Sequence, residues 1–156
     1  MLCIASPEDL LMDDVKAWAA KAAIAELIVR YAALNDAGDW DAVAALFTVD
    51  GRMSRPTSPD DFIAGRTAIL ANFRSRTPRA SRHIVANILV TLEGETLARA
   101  SSQILLFTGT AADGGGPPIQ SAAPPLIGTY VDTLVKTEEG WRFTERRGRL
   151  DFRAGS

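Results

Sequence analysis

Three side chains in this sequence, Tyr31, Asp36 and His83, form a possible acid–base set: a phenol, a carboxylate and an imidazole. Tyr31 and Asp36 lie in the stretch Tyr31-Ala-Ala-Leu-Asn35-Asp36-Ala-Gly38-Asp39-Trp40, which runs on to Leu46-Phe47 and Asp50-Gly51. His83 is the single histidine and stands in Arg82-His83-Ile-Val-Ala-Asn87. Imidazole is the side chain whose ordinary pKa lies nearest neutrality, so it suits proton shuttling. A carboxylate beside it can orient the ring or act as a base itself. A phenol can polarise a carbonyl or protonate a leaving oxygen. Each residue also has a plain structural reading. His83 can be a strand-end histidine and Asp36 a solvent-facing residue of a helix-to-helix turn. Tyr31 can be a core aromatic whose hydroxyl finds one partner.

The elements that must position these groups can be read from the pattern. Ser6-Pro7-Glu8-Asp9 is a helix start: a capping serine, a first-turn proline, and acids at the positive end of the dipole. Helical sequence runs to about Ala37, with a break expected near Ala20. Ile24, Leu27, Ile28, Tyr31, Leu34 and Asn35 share one face. Gly38 stops the helix and Asp39 caps a second one, with Trp40, Val43, Ala44 and Phe47 inward. Asp50-Gly51 reads as a turn, and residues 52 to 64, with Pro56 and Pro59, as irregular. A third helix is expected from Gly65 to about Arg76, burying Ile69, Leu70 and Phe73, and ended by Thr77-Pro78.

The period then changes. Ser81 to Leu92 alternates as a strand, with His83, Val85, Asn87 and Leu89 on one face. Further strands are expected at Leu97 to Thr108, Gly128 to Lys136 and Trp141 to Leu150. A flexible loop spans 109 to 127, and its Gly114-Gly115-Gly116-Pro117 is a surface segment or a lid. Helices first and hairpin-linked strands after argue an α+β fold, with helices on one face of a curved, mainly antiparallel sheet.

That arrangement supplies candidate pocket residues. Trp40 and Phe47 would wall Asp36, Asn87 would share the face of His83, and Tyr130 and Asp132 share a strand face. Arg146 and Arg147 have opposite parity, so at most one faces inward. An inward arginine paired with Asp132 can be a structural ion pair as readily as an electrophile. Arg74, Arg76, Arg79 and Arg82 read as a solvated helix end, with contact to an anionic ligand as the alternative.

Bulk properties narrow the classes. At 156 residues, 47% hydrophobic and 23% charged, the chain reads as one soluble domain. A net charge of −2 gives no footprint for nucleic acid or a membrane surface. The lone Cys3 excludes an intrachain disulfide, and one histidine with one cysteine argues against a Cys/His zinc site. The N-terminus lacks a basic region and soon turns acidic, unlike a secretory signal, and a cytoplasmic protein is the expectation.

The ordered set of Tyr31, Asp36, Gly38-Asp39-Trp40-Asp41, Leu46-Phe47-x-x-Asp50-Gly51, Gly65-Arg66, His83, Gly128-x-Tyr130-x-Asp132 and Gly140-Trp141-Arg142-Phe143 resembles the SnoaL-like branch of the NTF2-like superfamily. The resemblance covers about residues 20 to 150. It implies a cone-shaped α+β barrel around an apolar pocket for a small hydrophobic ligand, and frequent formation of a homodimer through the sheet; no cofactor and no metal are expected. It also implies a range of activities: polyketide cyclases, scytalone and bile-acid dehydratases, ketosteroid isomerase, limonene-epoxide hydrolase, small subunits of aromatic-ring dioxygenases, and proteins that only bind. Tyr31, Asp36 and His83 match positions where dehydratases of the superfamily place a tyrosine, an aspartate and a histidine. Two features depart from that pattern. Scytalone dehydratase has a second pocket histidine on the strand that here runs Gln103 to Thr108, and a tyrosine where this chain has Asn35. Bile-acid dehydratase has an aspartate on that same strand, where this chain has Ile104-Leu105-Leu106-Phe107. The expectation is acid–base catalysis of dehydration, isomerisation or cyclisation. The alternatives are a non-catalytic binding protein and an accessory subunit.

Overall fold

A computed structural model describes residues 7–110 and 116–152. The Ser6 cap and the Gly114-Gly115 part of the glycine run fall outside the described residues. The long helix α1 spans Pro7–Ala37 without interruption, so no break forms near Ala20. Its buried stripe is Ile24, Leu27, Ile28, Tyr31 and Asn35. Gly38 ends it at φ +71°, a conformation that costs a residue with a Cβ, and Asp39 caps α2 (Trp40–Ala45) by accepting from the Ala42 amide at 3.1 Å. Phe47 therefore belongs not to α2 but to β1 (Phe47–Arg55).

Two expectations fail in the next segment. Asp50-Gly51 is not a turn but lies inside β1, where the pairing with the last strand is irregular between Phe47 and Arg52. Residues 52 to 64 are not irregular: β1 pairs antiparallel with β2 (Ser58–Ala64) as a hairpin. Pro59 is tolerated because β2 is the sheet edge, where an amide without a hydrogen leaves no ladder bond unmade. Helix α3 (Arg66–Arg74) follows, burying Ile69 and Phe73.

The remaining strands are β3 (Ala80–Leu92), β4 (Leu97–Thr110), the short β5 (Gln120–Ser121), β6 (Leu126–Thr137) and β7 (Gly140–Phe152). The seven-stranded sheet has the order β2-β1-β7-β6-β4-β3, with β5 paired to β4. Among the described strands only β1 and β7 run parallel. The sheet curves without closing, and the core lies between its inner face and the helices. That core centres on Tyr31, Phe47, Phe73 and Phe143.

Two bulges decide which side chains face in. On β3 the register slips between Ala86 and Leu89, and Asn87 takes φ +50°. Beyond it the half-buried positions are Ile88, Val90 and Leu92, in the opposite phase to His83 and Val85. On β7 the register slips between Phe143 and Glu145. Trp141 and Phe143 are buried before it, and Arg146 and Gly148 after it.

Candidate active site

Helix α1 presents Tyr31 inward and carries Asp36 on its last turn, beside the start of β3. Asp36 is held by three donors. Its carboxylate accepts from the Ser81 hydroxyl at 3.0 Å and from the His83 backbone amide at 2.8 Å. The third contact joins Oδ1 of Asp36 to Nδ1 of His83 at 2.6 Å. A carboxylate accepts, so Nδ1 carries the proton and Nε2 is left as the ring's working nitrogen. The pair is nearly closed off from solvent, with His83 12% and Asp36 9% exposed at the side chain.

His83 faces a cavity of about 400 Å³ between the inner face of the sheet and the helices. Its wall includes Tyr31 and Asn35 from α1, Ile104 and Leu106 from β4, and Tyr130 from β6. At one end stand Arg55 and Pro56 from the tip of the β1–β2 hairpin, with Arg76 and Arg79 from the α3–β3 connection. The cavity is thus apolar only in part. Asp36 lines a second, adjoining hollow and reaches the main cavity only through His83.

Behind Tyr31 and Tyr130 lies a buried charge. The Arg146 guanidinium sits 4.2 Å from the Tyr31 ring centre, 4.1 Å from that of Tyr130 and 4.6 Å from that of Phe143. It faces its register partner Asp132 at 3.5 Å, too long for a charge-assisted hydrogen bond, and neither Asp132 oxygen has a hydrogen-bond partner among the described residues. Burial outweighs the attraction of Arg146, and the Asp132 carboxyl is pushed up to about 6. Burial also raises the pKa of Tyr31, against the opposing pull of Arg146 and Arg76, and raises that of Tyr130 strongly. Both phenols are therefore protonated donors at neutral pH.

The structure distributes the expected residues unevenly. Tyr31, His83 and Tyr130 line one cavity, and Asp36 backs His83. Phe47 lies in the core, edge-on to Tyr31 at 6.2 Å, and does not reach the cavity. Trp40 stacks on Phe73 at 5.5 Å and lines the adjoining hollow. Asn87 is turned away by the β3 bulge and donates to Gln103 at 2.5 Å on the exposed side. Asp132 is behind the wall, not in it. Arg146 is the inward member of its pair, while Arg147 points out to Asp60. Arg55 was hidden in a segment that reads as irregular. Arg76 and Arg79 read as a solvated helix end, although Arg76 is half-buried against Phe73. Among the described residues no three His, Cys, Asp or Glu side chains cluster as metal ligands, and no helix is long and apolar enough to cross a membrane.

A curved, mainly antiparallel sheet wrapped on a long helix is the α+β fold of NTF2-like proteins, and here its cavity carries a histidine–aspartate pair. The chain belongs to the SnoaL-like domain family, whose model matches residues 16–147. No curated protein matches the sequence. Among solved structures it is similar to an NTF2-like protein with a cystatin-like fold from Novosphingobium aromaticivorans, at 24% identity and TM-score 0.76 over 98% of this chain and 95% of that one. It is similar to a candidate scytalone dehydratase from the same organism, at 24% identity and TM-score 0.73 over 92% and 94%. It is also similar to ActVI-ORFA from Streptomyces coelicolor, at 19% identity and TM-score 0.68 over 83% and 96%. At these identities the likeness carries the fold.

Proposed function

We propose that this protein is a cofactor-independent acid–base enzyme of the dehydratase, isomerase or cyclase type, acting on a small oxygenated molecule with an apolar body. The observation that carries this reading is the Asp36–His83 pair on the wall of a cavity that also receives two protonated tyrosines. Asp36 fixes the ring so that Nε2 is free to take a proton from carbon beside a carbonyl. The Tyr31 and Tyr130 hydroxyls donate to the carbonyl oxygen as it gains enolate charge. The imidazolium then returns its proton, to a leaving hydroxyl in a dehydration or to another carbon in an isomerisation.

The test is solvent proton exchange into a panel of cyclic ketones and β-hydroxy ketones, followed by NMR in deuterated buffer. The wild type should catalyse exchange or loss of water. His83→Ala should lose about 10²–10⁴-fold of that rate with the fold intact. Asp36→Asn should lose less, because the ring remains but is misoriented. Full activity in His83→Ala would sink the mechanism.

A second reading, a protein that binds without turnover, is favoured by one observation. The inward side chains of the central strand, Ile104 and Leu106, offer no second acid or base. It predicts a ligand recovered unchanged, with affinity indifferent to His83→Ala. We also infer a homodimer formed through the outer face of the sheet, supported by the apolar residues exposed there.

A further inference from the structure

We propose that the molecule taken into this cavity is an organic carboxylate, its charged end held by Arg55, Arg76 and Arg79 and its apolar body against Met53, Ile104 and Leu106. This names the substrate class of the site described above and rests on that cavity being the ligand site.

The first observation is one of pairing. Most arginines elsewhere meet acids: Arg52 meets Glu145, Arg74 meets Asp41, Arg147 meets Asp60, and even buried Arg146 faces Asp132, while Arg66 is spent on the Phe47 carbonyl and Arg82 is exposed outside the cavity. Arg55, Arg76 and Arg79 have no carboxylate within 4.0 Å among the described residues. Yet these three border one cavity, and among the described residues no acid lines it. Asp36, which lines the adjoining hollow together with Arg76 and Arg79, is spent on Ser81 and His83.

The second observation is that two of the three are anchored. Asn72 of α3 accepts from the Arg55 guanidinium at 2.5 Å, and the Arg55 Nε is buried without a partner among the described residues. The Arg76 guanidinium lies 3.9 Å from the centre of the Phe73 ring, which is itself stacked on Trp40. Side chains held this way have already lost the freedom that makes most surface arginines indifferent to a particular anion. Like charges brought together cost free energy. Arg76 is pushed toward its neutral form, by burial first and then by the repulsion of Arg55 and Arg79. A bound anion relieves both repulsions, so the strain is stored where a ligand would use it.

The third observation is the chemistry of the rest of the wall. Beside the arginines, and apart from His83, Asn35 and two threonines, the wall is apolar or aromatic: Met53, Ile104, Leu106, Leu126, Leu150 and the two tyrosines. A small inorganic anion would leave that surface unused. A planar carboxylate on an aromatic or alicyclic body matches both ends, since guanidinium forks fit carboxylates two bonds at a time.

The experiment titrates the full chain by calorimetry with 2-naphthoate, with its neutral isostere 2-naphthamide, and with inorganic phosphate. Naphthoate should bind about tenfold or more tightly than naphthamide. Arg76→Gln and, separately, the exposed Arg79→Gln should erase that preference while changing naphthamide affinity less than about twofold. Circular dichroism checks each fold, and Arg79→Gln tests the idea even if Arg76→Gln misfolds. Equal affinity for acid and amide, or a preference that survives in Arg79→Gln and Arg76→Gln, overturns the proposal. Displacement of naphthoate by phosphate at equal concentration also overturns it, because the apolar body would then contribute nothing. His83→Ala should leave the preference in place. A carboxylate preference without His83-dependent exchange would therefore refute the catalytic reading alone. His83-dependent exchange without the preference would refute this inference alone.

Discussion

Asp132 and Arg146 form the most heavily buried charged pair described in the chain, and their balance has a consequence in solution. The Asp132 carboxyl titrates near 6 in the folded protein, against 3.8 as its ordinary value. The folded state therefore holds a proton that the unfolded chain has released between those two values. Stability from this group is fully present below the lower value and is lost as pH rises through the upper one. The loss is on the order of 3 kcal/mol. Urea unfolding should give a free energy that falls between pH 4 and pH 6.5. Asp132→Asn, a mimic of the protonated acid, should flatten that slope. An unchanged slope in the variant would assign it to other groups. The catalytic candidates stand differently. Tyr31 and His83 were legible because residue type limits chemistry, and a single histidine leaves few choices. Asp132 was legible as a partner for an inward arginine, but not its place behind the tyrosines, which depends on the curvature of the sheet.

At the scale of elements, the cavity depends on one close approach. The β1–β2 tip folds over β7 so that Pro56 presses on Gly148, where an added Cβ would stand 2.6 Å from the Pro56 nitrogen. The neighbouring Arg55 is carried to the cavity by that contact. Gly148→Ala should push the tip away at a cost of about 1–3 kcal/mol. Naphthoate affinity should fall more than naphthamide affinity, because one guanidinium retreats. A melting temperature within about 1 °C of wild type would show that the tip yields freely. The same tip explains what the residue pattern concealed. Pro56 and Pro59 argue against a central strand, and the pattern cannot say that β2 is an edge. Helices α1 to α3 were legible because caps, glycine stops and a 3.6-residue stripe agree. The long strands were legible by alternation, but their bulges were not. One extra residue at Asn87, or between Phe143 and Glu145, reverses the facing of everything beyond it without disturbing composition.

At the scale of the whole molecule, the outer face of the sheet is an apolar surface that the site does not explain. Ile84, Leu105 and Ile127 are register partners across β3, β4 and β6, so their side chains form one outward row. Leu89, Phe107 and Val131 are exposed around them. Soluble monomers seldom leave so continuous an apolar face in water, and a second copy laid on it would bury the row on both sides. Multi-angle light scattering at micromolar concentration should report twice the 16.7 kDa of one chain. Ile84→Glu combined with Val131→Glu places two charges in each copy of the contact and should give a monomer with an unchanged far-ultraviolet spectrum. His83-dependent proton exchange should survive in that monomer, because the described lining of the cavity lies on the inner face of the sheet, opposite the proposed contact. A wild-type monomer would remove the interface. A folded monomeric variant without activity would show that pairing of the outer faces governs the shape of the cavity within.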